Sequence, residues 1–220
     1  MGIPGGIMCF SATASFSGAA VCALAGAMAI RRAQKPDLMI AALPLMLAAH
    51  QAIEGYVWLT RAQGCGLFAA YAFATIAFCL WPLYVPAAVY VSETDPARRR
   101  IILGLWALGA FVVVNAAATL TFGLDIDFAT SQIGYVPKGP YFRIFDFLYT
   151  IAVVGPLVVH RSPYMKAFGA LVLAFFAAAV LFFDPARFSV WCFFAAISSV
   201  VVYLFVQSRA LAPKARAAPA

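Results

Sequence analysis

The feature that most constrains the fold is a series of seven apolar runs, each about as long as a membrane-crossing helix. Short polar segments separate the runs, which cover residues 10–30, 38–60, 67–91, 101–121, 141–159, 164–183 and 188–206. A helix needs about 20 apolar residues to cross a bilayer. Only 10% of the 220 residues are charged, against roughly a quarter in soluble domains. The sequence therefore predicts an all-α membrane protein with seven transmembrane helices.

The seven runs leave no room for a soluble domain. Residues 1–206 are expected to form one transmembrane domain, and residues 207–220, which are rich in Ala and Pro and basic, a disordered tail. No basic segment precedes the first run and arginines follow it, which favours a retained first span over a cleaved leader. Met8 is an alternative natural start.

The basic residues alternate from one connection to the next. Most follow the first, third and fifth runs or lie in the tail: Arg31, Arg32, Lys35, Arg98, Arg99, Arg100, Arg161, Lys166, Arg209, Lys214 and Arg216. The other connections carry Arg61, Lys138, Arg143 and Arg187. By the positive-inside rule, the N-terminus lies outside and the C-terminus in the cytoplasm. The net charge of +7 follows from these loops and does not indicate a nucleic-acid partner.

The second run carries an ionisable pair. His50 and Glu54 are four residues apart and therefore share one face of a helix. A carboxylate at bilayer depth is costly, so it indicates a functional site facing the bundle interior or a wet cavity. The alternative is that Glu54 only stabilises helix packing through a hydrogen bond and that His50 is its structural counterpart.

Polar side chains from several runs fall at one depth. Counting 1.5 Å per residue from the predicted outer ends places them roughly 5–9 Å down. The side chains in this layer are Glu54, Tyr71, Asn115, Asp146 and Trp191. Cys9 and Ser11 lie at the same end of the first run, so the pattern predicts a site open to the outside. Asp146 and Arg143 are alternatively an ordinary ion pair at a helix end.

Cysteine and histidine usage limits the choice of metal site. Cys9 and Cys65 both fall at the predicted outer end, where they could form a disulfide; alternatively Cys9 is a thiolate ligand or a nucleophile. The chain has only two histidines, and His160 falls at the opposite face from His50. A metal site with three histidines is therefore excluded. His50, Glu54, Asp146 and Cys9 remain as a set for one divalent transition metal, with zinc as the first choice.

Two segments of the chain, one at the start of the first run and one in the second run, carry recognisable sequence motifs. They are Met8-Cys9-Phe10-Ser11-Ala12-Thr13-Ala14-Ser15-Phe16 and His50-Gln51-x-x-Glu54-Gly55-x-x-Trp58. The chain resembles a family of uncharacterised bacterial membrane proteins that begin with MCFSA-x-ASF and carry H/Q-Q-x-x-E-G-x-x-W on the second helix. This resemblance implies no established activity. It implies a pairing of the N-terminal segment with the Glu-Gly segment and a multi-pass location in the bacterial cytoplasmic (inner) membrane.

Three functional classes follow from these features. The first is a metal-dependent hydrolase acting on a lipid or amphiphile at the outer leaflet, with Glu54 as general base or metal ligand and Asn115 as oxyanion donor. In this hypothesis Ser11, Tyr71, Arg143 and Trp191 contact the ligand. The second is a sensor or binding protein for a small ligand or a metal, with residues 122–140, the longest connection, as a lid. The third is a structural subunit of a larger complex or a homo-oligomer.

Overall fold

The computed structural model of the chain describes residues 11–60, 66–128, 132–139, 144–184 and 186–217. Nine α-helices occur in these ranges: α1 (Ala12–Arg32), α2 (Leu38–Thr60), α3 (Leu67–Thr75), α4 (Trp81–Ser92), α5 (Pro96–Thr121), α6 (Ile144–Val159), α7 (Pro163–Phe182), α8 (Arg187–Ser198) and α9 (Val200–Ala217). A 3₁₀ turn, Lys35–Asp37, leads into α2, and a π-helical turn, Ile76–Leu80, joins α3 to α4. Two short strands, β1 (Leu124–Asp127) and β2 (Gly134–Pro137), lie between α5 and α6.

Six of the helical rods are long and apolar enough to cross a membrane. They are Ala12–Arg32, Lys35–Thr60, Leu67–Ser92, Pro96–Thr121, Pro163–Phe182 and Arg187–Leu211, and the shorter apolar helix α6 completes the bundle. Large apolar side chains point away from the core, among them Phe68, Val114 and Phe182, which are 85%, 71% and 75% exposed. An apolar exterior of this extent is compatible with a multi-pass membrane protein.

The helix boundaries differ from the apolar runs where local capping decides them. α5 begins at Pro96, five residues before the predicted start, because the Asp95 carboxylate accepts a hydrogen bond from the Ala97 backbone N–H (2.8 Å) and caps the helix. The arginines predicted for a loop therefore lie in the first turns of α5. The last predicted run is divided at Ser199 into α8 and α9, and α9 continues to Ala217 where the sequence predicts a disordered tail. Alanine, leucine, glutamine and arginine are strong helix formers.

Glycine allows α1 and α2 to approach each other closely. A Cβ atom on Gly26 would lie 2.8 Å from the backbone N of Leu45, and one on Gly55 would lie 2.8 Å from the ring of Phe16. Both contacts are too short for any side chain larger than glycine. The second contact joins the two motif segments, because Phe16 ends the first and Gly55 lies in the second.

A proline imposes the π-helical turn between α3 and α4. Pro82 has no backbone N–H, and just before it the Trp81 N–H donates to the Ile76 carbonyl oxygen, five residues back. The Ala77 carbonyl oxygen would pair with residue 82 in this register and instead accepts a hydrogen bond from the Tyr149 hydroxyl of α6. The irregularity at Pro82 is thus a π turn whose free carbonyl oxygen accepts from a neighbouring helix.

The connection between α5 and α6 contains a β-hairpin, which the sequence does not predict. The described fold is therefore a helical bundle with one two-stranded sheet and not purely α-helical. The strands are antiparallel, with Leu124 opposite Pro137 and Asp127 opposite Gly134. Ile133 and Tyr135 are buried, at 0% and 4% exposure. Because these apolar side chains enter the core, the hairpin closes one end of the bundle, which we call the hairpin end.

The opposite end is held by a buried polar network. The Ser92 hydroxyl donates to Asp37 Oδ1 (2.5 Å), and Arg209 Nε lies 3.1 Å from Asp37 Oδ2. His160 Nε2 lies 3.4 Å from the Ser92 oxygen, and Nδ1 accepts from the Ser162 backbone N–H (3.1 Å). The network therefore connects the start of α2, the end of α4, the α6–α7 turn and α9.

Glu93 completes this network. Its carboxylate accepts hydrogen bonds from the backbone N–H groups of Thr94 (2.7 Å), Asp95 (2.9 Å) and Arg161 (2.7 Å). Burial alone raises the pKa of Glu93, but these three hydrogen bonds and the nearby His160 together lower it below 4.5. Glu93 is therefore a charged structural anchor for the turn before α7.

The first prediction concerns His160. Burial lowers its pKa from 6.5 to about 4, Glu93 and Asp37 oppose this shift, and Arg209 and Arg161 add to it. Between pH 6.5 and 4.5 the unfolded chain binds more protons at this site than the folded chain does. The contribution of His160 to the free energy of unfolding should therefore fall as the pH is lowered from 6.5 to 4.5, by on the order of 2 kcal/mol. Thermal unfolding of the purified protein in detergent measures this loss.

His160→Gln is the matched variant, because glutamine keeps hydrogen-bonding capacity without titrating. The wild type should therefore lose on the order of 2 kcal/mol relative to the variant between pH 6.5 and 4.5, while both proteins lose the contribution of Glu93 below pH 4.5 as it is protonated. Equal slopes for the two proteins between pH 6.5 and 4.5 would contradict the assignment.

The second prediction concerns the contact between α4 and α5. A Cβ atom on Gly109 would lie 2.0 Å from the Pro82 carbonyl oxygen, whereas one on Gly104 in the same helix would meet nothing within 4 Å. Gly109→Ala should lower the free energy of unfolding by about 1–3 kcal/mol. Gly104→Ala should leave it unchanged or raise it by up to about 1 kcal/mol, because alanine is the better helix former. A denaturation series that ranks the two variants the other way would refute this contact.

Candidate functional site

Glu54 lies inside the bundle near the hairpin end. It is 2% exposed, and its Oε1 atom accepts a hydrogen bond from the Ser189 hydroxyl of α8 (2.5 Å). None of the ion pairs within the described ranges involves Glu54. A buried carboxylate without a counter-ion is stable only when it is protonated or bound to a cation. Glu54 is therefore a site for a proton or for a positively charged group.

Gln51 lies one helical turn before Glu54 and is fully buried. Its amide is within electrostatic reach of the Glu54 carboxylate. Neither Nε2 nor Oε1 of Gln51, however, has a hydrogen bond of acceptable geometry within the described protein. Buried amides are almost always hydrogen-bonded, and one without a partner costs about 1–3 kcal/mol. Gln51 thus offers a donor and an acceptor beside Glu54.

Tyr135 brings the hairpin to the same place. Its hydroxyl is buried and has no hydrogen-bond partner within the described protein. Burial raises the pKa of Tyr135 well above its usual value, and the nearby Glu54 and Cys192 raise it further. The phenol therefore stays protonated and can donate. Its ring stacks on Phe73 at 4.3 Å, and Phe73 stacks on His50 at 4.1 Å.

His50 is fully occupied by bonds within the protein. Its Nε2 atom lies 3.1 Å from the Phe73 carbonyl oxygen, and its Nδ1 atom accepts from Trp81 Nε1 at 3.4 Å. These partners assign the proton to Nε2 and make the ring neutral. Both nitrogens would have to leave their partners before His50 could bind a metal. Its observed role is to connect α2 to α3 and α4.

Asn115 and Asp146 lie together, but at a different position from Glu54. Both line a cavity of about 30 Å³ below Pro137. Asp146 Oδ2 lies 3.2 Å from Arg187 Nη2, so the partner of Asp146 in the described residues is Arg187. Depth along the helices predicts that Asn115 and Asp146 share one polar layer with Glu54. In the structure they form a separate group, because α5 packs on α6 whereas α2, which carries Glu54, packs on α8.

The other predicted site residues have local roles. The Ser11 side chain caps α1 by accepting from the Ala14 backbone N–H (3.2 Å). Tyr71 is half-buried and lies near Lys138 of the hairpin. Trp191 Nε1 donates to the Val172 carbonyl oxygen (2.8 Å). Cys9, Cys65 and Arg143 fall outside the described residues.

The predicted metal set is not assembled by the part of the chain that the structure describes. Within the described ranges, no three His, Cys, Asp or Glu side chains come together in a way that could hold a metal ion. His50 is bonded to Phe73 and Trp81, and Asp146 is paired with Arg187. The zinc prediction therefore depends on Cys9 joining Glu54.

Sequence reasoning misses three members of the polar cluster around Glu54. Gln51 lies within the motif segment without being predicted to bind, and Tyr135 is predicted only as part of the lid. Ser189 is a small polar residue near the outer end of the last apolar run, at about the depth of Glu54, and this depth is the signal that could identify it. We call Gln51, Glu54, Tyr135 and Ser189 the Glu54 cluster.

The Glu54 cluster can bind a small polar group and can exchange a proton. It combines one carboxylate, one amide without a partner in the described protein and two hydroxyls, of which only Ser189 is already bonded to Glu54. Cys192, whose thiol lies within electrostatic reach of Glu54, lines an adjoining apolar cavity of about 50 Å³. The cluster residues themselves do not line this cavity, so Cys192 is the link between the two.

The comparisons with known proteins identify a family without assigning a function. The model of a family of unknown function, DUF6629, matches residues 8–218. The matched segment starts at Met8 and includes both motif segments. No curated protein and no solved structure shows significant similarity to the chain.

The third prediction concerns the docking of the hairpin through Tyr135. Tyr135→Ala removes the ring that stacks on Phe73 and should open the hairpin, because losing a buried aromatic side chain costs about 3–5 kcal/mol. Hydrogen exchange at the backbone amides of β1 and β2 should become at least roughly ten-fold faster. Tyr135→Phe keeps the ring and should preserve slow exchange. Equal exchange in the alanine and phenylalanine variants would show that the ring does not hold the hairpin.

Proposed function

The chain belongs to the DUF6629 family, whose function is unknown, and we propose that it is a multi-pass membrane protein that binds a small cation at the Glu54 cluster. The ligand enters at the hairpin end and exchanges with the proton on Glu54. The hairpin acts as the lid of this site.

The membrane placement is part of this proposal. All seven rods cross the bilayer, with α6 as the shortest. The basic residues concentrate at the end opposite the hairpin, where the Asp37–His160 network lies, and the hairpin end carries few. The positive-inside rule then puts the hairpin end outside and the C-terminus in the cytoplasm. The proposed location is the bacterial cytoplasmic membrane.

The observation that carries the binding proposal is the Gln51 amide. It is fully buried beside the Glu54 carboxylate, and neither of its polar atoms forms a hydrogen bond of acceptable geometry within the described protein. A residue that served only helix packing would be expected to bond across to another helix, as His50 does with Phe73. A donor and an acceptor without partners, beside the buried Tyr135 hydroxyl, instead favour a group supplied from outside the protein.

Charge and shape favour a small cation as that group. Glu54 forms no ion pair within the described ranges, and the ring of Tyr135, whose partner Phe73 is covered on both faces, lies near it. Aromatic faces and a carboxylate together attract ammonium-type cations. The adjoining cavity of about 50 Å³ admits only a group of a few heavy atoms. The proposed occupant is therefore a small cation and not a lipid, and Asn115, the oxyanion donor of the hydrolase hypothesis, lines a different cavity.

The fourth prediction tests this site by ligand-dependent stability. Methylammonium, guanidinium and tetramethylammonium chloride are titrated separately into the purified full-length protein at pH 8, and the Tm is compared with that in sodium chloride of equal ionic strength. A cation at 100 times its Kd stabilises the folded state by about 2.7 kcal/mol. For a chain of this length, that raises the Tm by roughly 5 °C or more. Glu54→Gln should abolish the rise.

Asp125→Asn is the matched control, because Asp125 is an exposed carboxylate on the hairpin, paired with Lys138. It should keep the full rise in Tm. A rise that persists in Glu54→Gln, or that is lost equally in Asp125→Asn, would refute the site. Zinc chloride, titrated in parallel, separates the metal hypothesis: a rise with zinc alone would make Glu54 a metal ligand. If no cation raises the Tm of the wild type, the cluster is structural and the proposal fails.

A further inference from the structure

A second concave site lies at the end of the bundle opposite the hairpin. It is a recess of about 370 Å³ where the end of α4 meets the first turns of α5. Its walls are formed by Tyr90, Thr94, Pro96, Arg99, Arg100 and Leu103. It shares no residue with the Glu54 cluster, which lies near the other end of α2.

Arg99 is held in place inside this recess. Its guanidinium carbon lies 4.1 Å from the centre of the Tyr90 ring, a distance typical of a cation–π contact. One of its N–H groups donates to the Glu93 carbonyl oxygen at 3.4 Å. A guanidinium has five N–H donors in a rigid plane, so most of its donors remain available. The ring and the carbonyl oxygen therefore preorganise the guanidinium for an anion.

The three consecutive arginines have different roles. Arg98 is committed to the fold, since its Nε lies 3.6 Å from Asp95 Oδ2 and its Nη1 donates to the Val159 carbonyl oxygen. Arg100 is exposed, and within the described ranges it forms no hydrogen bond or ion pair. Two of the three positive charges, those of Arg99 and Arg100, are thus left facing the recess.

The acidic residues near the recess do not neutralise it. Glu93 is fully buried, and its carboxylate accepts from three backbone N–H groups of the turn. Asp95 caps α5 and pairs with Arg98. Arg161 adds a further positive charge, because its Nη1 donates to Thr94 Oγ1 in the recess wall at 2.8 Å. Arg98, Arg99, Arg100 and Arg161 against Asp95 and Glu93 leave an excess of about two positive charges around the recess, which complements a singly or doubly charged anion.

The recess continues into an apolar surface along α5. Leu103, in the wall of the recess, is 50% exposed, and Phe111 and Val114, further along the same side of the helix, are 58% and 71% exposed. A free inorganic anion would make no favourable contact with this apolar surface. An amphiphile with an anionic head and acyl chains uses both parts, because basic pockets at the cytoplasmic side of helix bundles fit phospholipid headgroups.

We propose that the recess binds the phosphodiester headgroup of an anionic membrane phospholipid, with the phosphate between Arg99 and Arg100 and an acyl chain along α5. This inference rests on the membrane placement proposed above, with this end of the bundle at the cytoplasmic leaflet. It does not depend on the ligand of the Glu54 cluster.

The test uses the full-length protein purified in a neutral detergent. Phosphatidylglycerol is titrated in, with zwitterionic phosphatidylcholine as the comparison lipid, and bound lipid is counted by native mass spectrometry. Wild type should bind one phosphatidylglycerol with clear preference over phosphatidylcholine. Arg99→Gln and Arg100→Gln should each weaken that binding at least roughly ten-fold, because each removes charge-assisted hydrogen bonds to the phosphate.

Arg31→Gln is the matched control. Arg31 is an exposed arginine in the last turn of α1, so its substitution makes the same change of charge at the same end of the bundle. It should change the affinity less than two-fold. Equal losses in Arg31→Gln and Arg100→Gln would mean general charge attraction and would overturn the site, as would equal binding of the two lipids.

Two further measurements distinguish a lipid headgroup from free phosphate and lipid recognition from a loss of folding. Complete displacement of phosphatidylglycerol by millimolar inorganic phosphate would show that the recess recognises free phosphate and not a lipid. Tyr90→Leu, which keeps an apolar wall but removes the cation–π contact, should weaken lipid binding while Tm stays near that of wild type. The cation-dependent rise in Tm should persist in Arg99→Gln and Arg100→Gln. Failure of the lipid proposal would therefore not contradict cation binding at the Glu54 cluster, and failure of cation binding would not contradict the lipid proposal.

Discussion

The packing of this bundle depends on one requirement: each buried polar group must find its hydrogen-bond partner within the protein. In a bilayer core there is no water to bond a free N–H or C=O group. Pro82 nevertheless forces a π turn, and the carbonyl oxygen that the turn frees, that of Ala77, accepts from Tyr149 of another helix. The Phe73 carbonyl oxygen, one turn earlier, binds His50. Backbone carbonyl oxygens of this segment, one freed by the π turn and one that also accepts from the Ile76 N–H, thus make contacts with other helices.

The same requirement distinguishes the two ends of the bundle. At the end with Asp37 and His160, the buried side chains bond to one another, to arginine or to the backbone. At the hairpin end, the Gln51 amide and the Tyr135 hydroxyl are buried without partners in the described protein. The buried polar groups of the first end are thus bonded within the protein, and the second end is where we propose that a ligand binds. This contrast is why function is assigned to Glu54 and stability to Asp37 and His160.

The candidate site is only partly predictable from the sequence. Spacing alone puts His50 and Glu54 on one face of α2, and the energetic cost of a carboxylate in an apolar run singles out Glu54. Depth counting correctly orders residues along each helix but cannot say which helices are neighbours. For this reason it groups Asn115 and Asp146 with Glu54, whereas they line another cavity with Arg187 close by. The role of His50 is equally hidden, because its partners are a carbonyl oxygen and Trp81 from distant parts of the chain.

Local hydrophobicity and charge are enough to predict a helical bundle, the positions of most helices and a basic end. They do not predict that residues 124–137 form a hairpin held by Tyr135, that Phe16 packs on Gly55, or that Ser189 is the donor to Glu54. Each of these depends on contacts between residues far apart in the chain. Hydrophobic burial has no direction, so it selects which segments enter the bundle, while close packing and hydrogen-bond geometry select their neighbours.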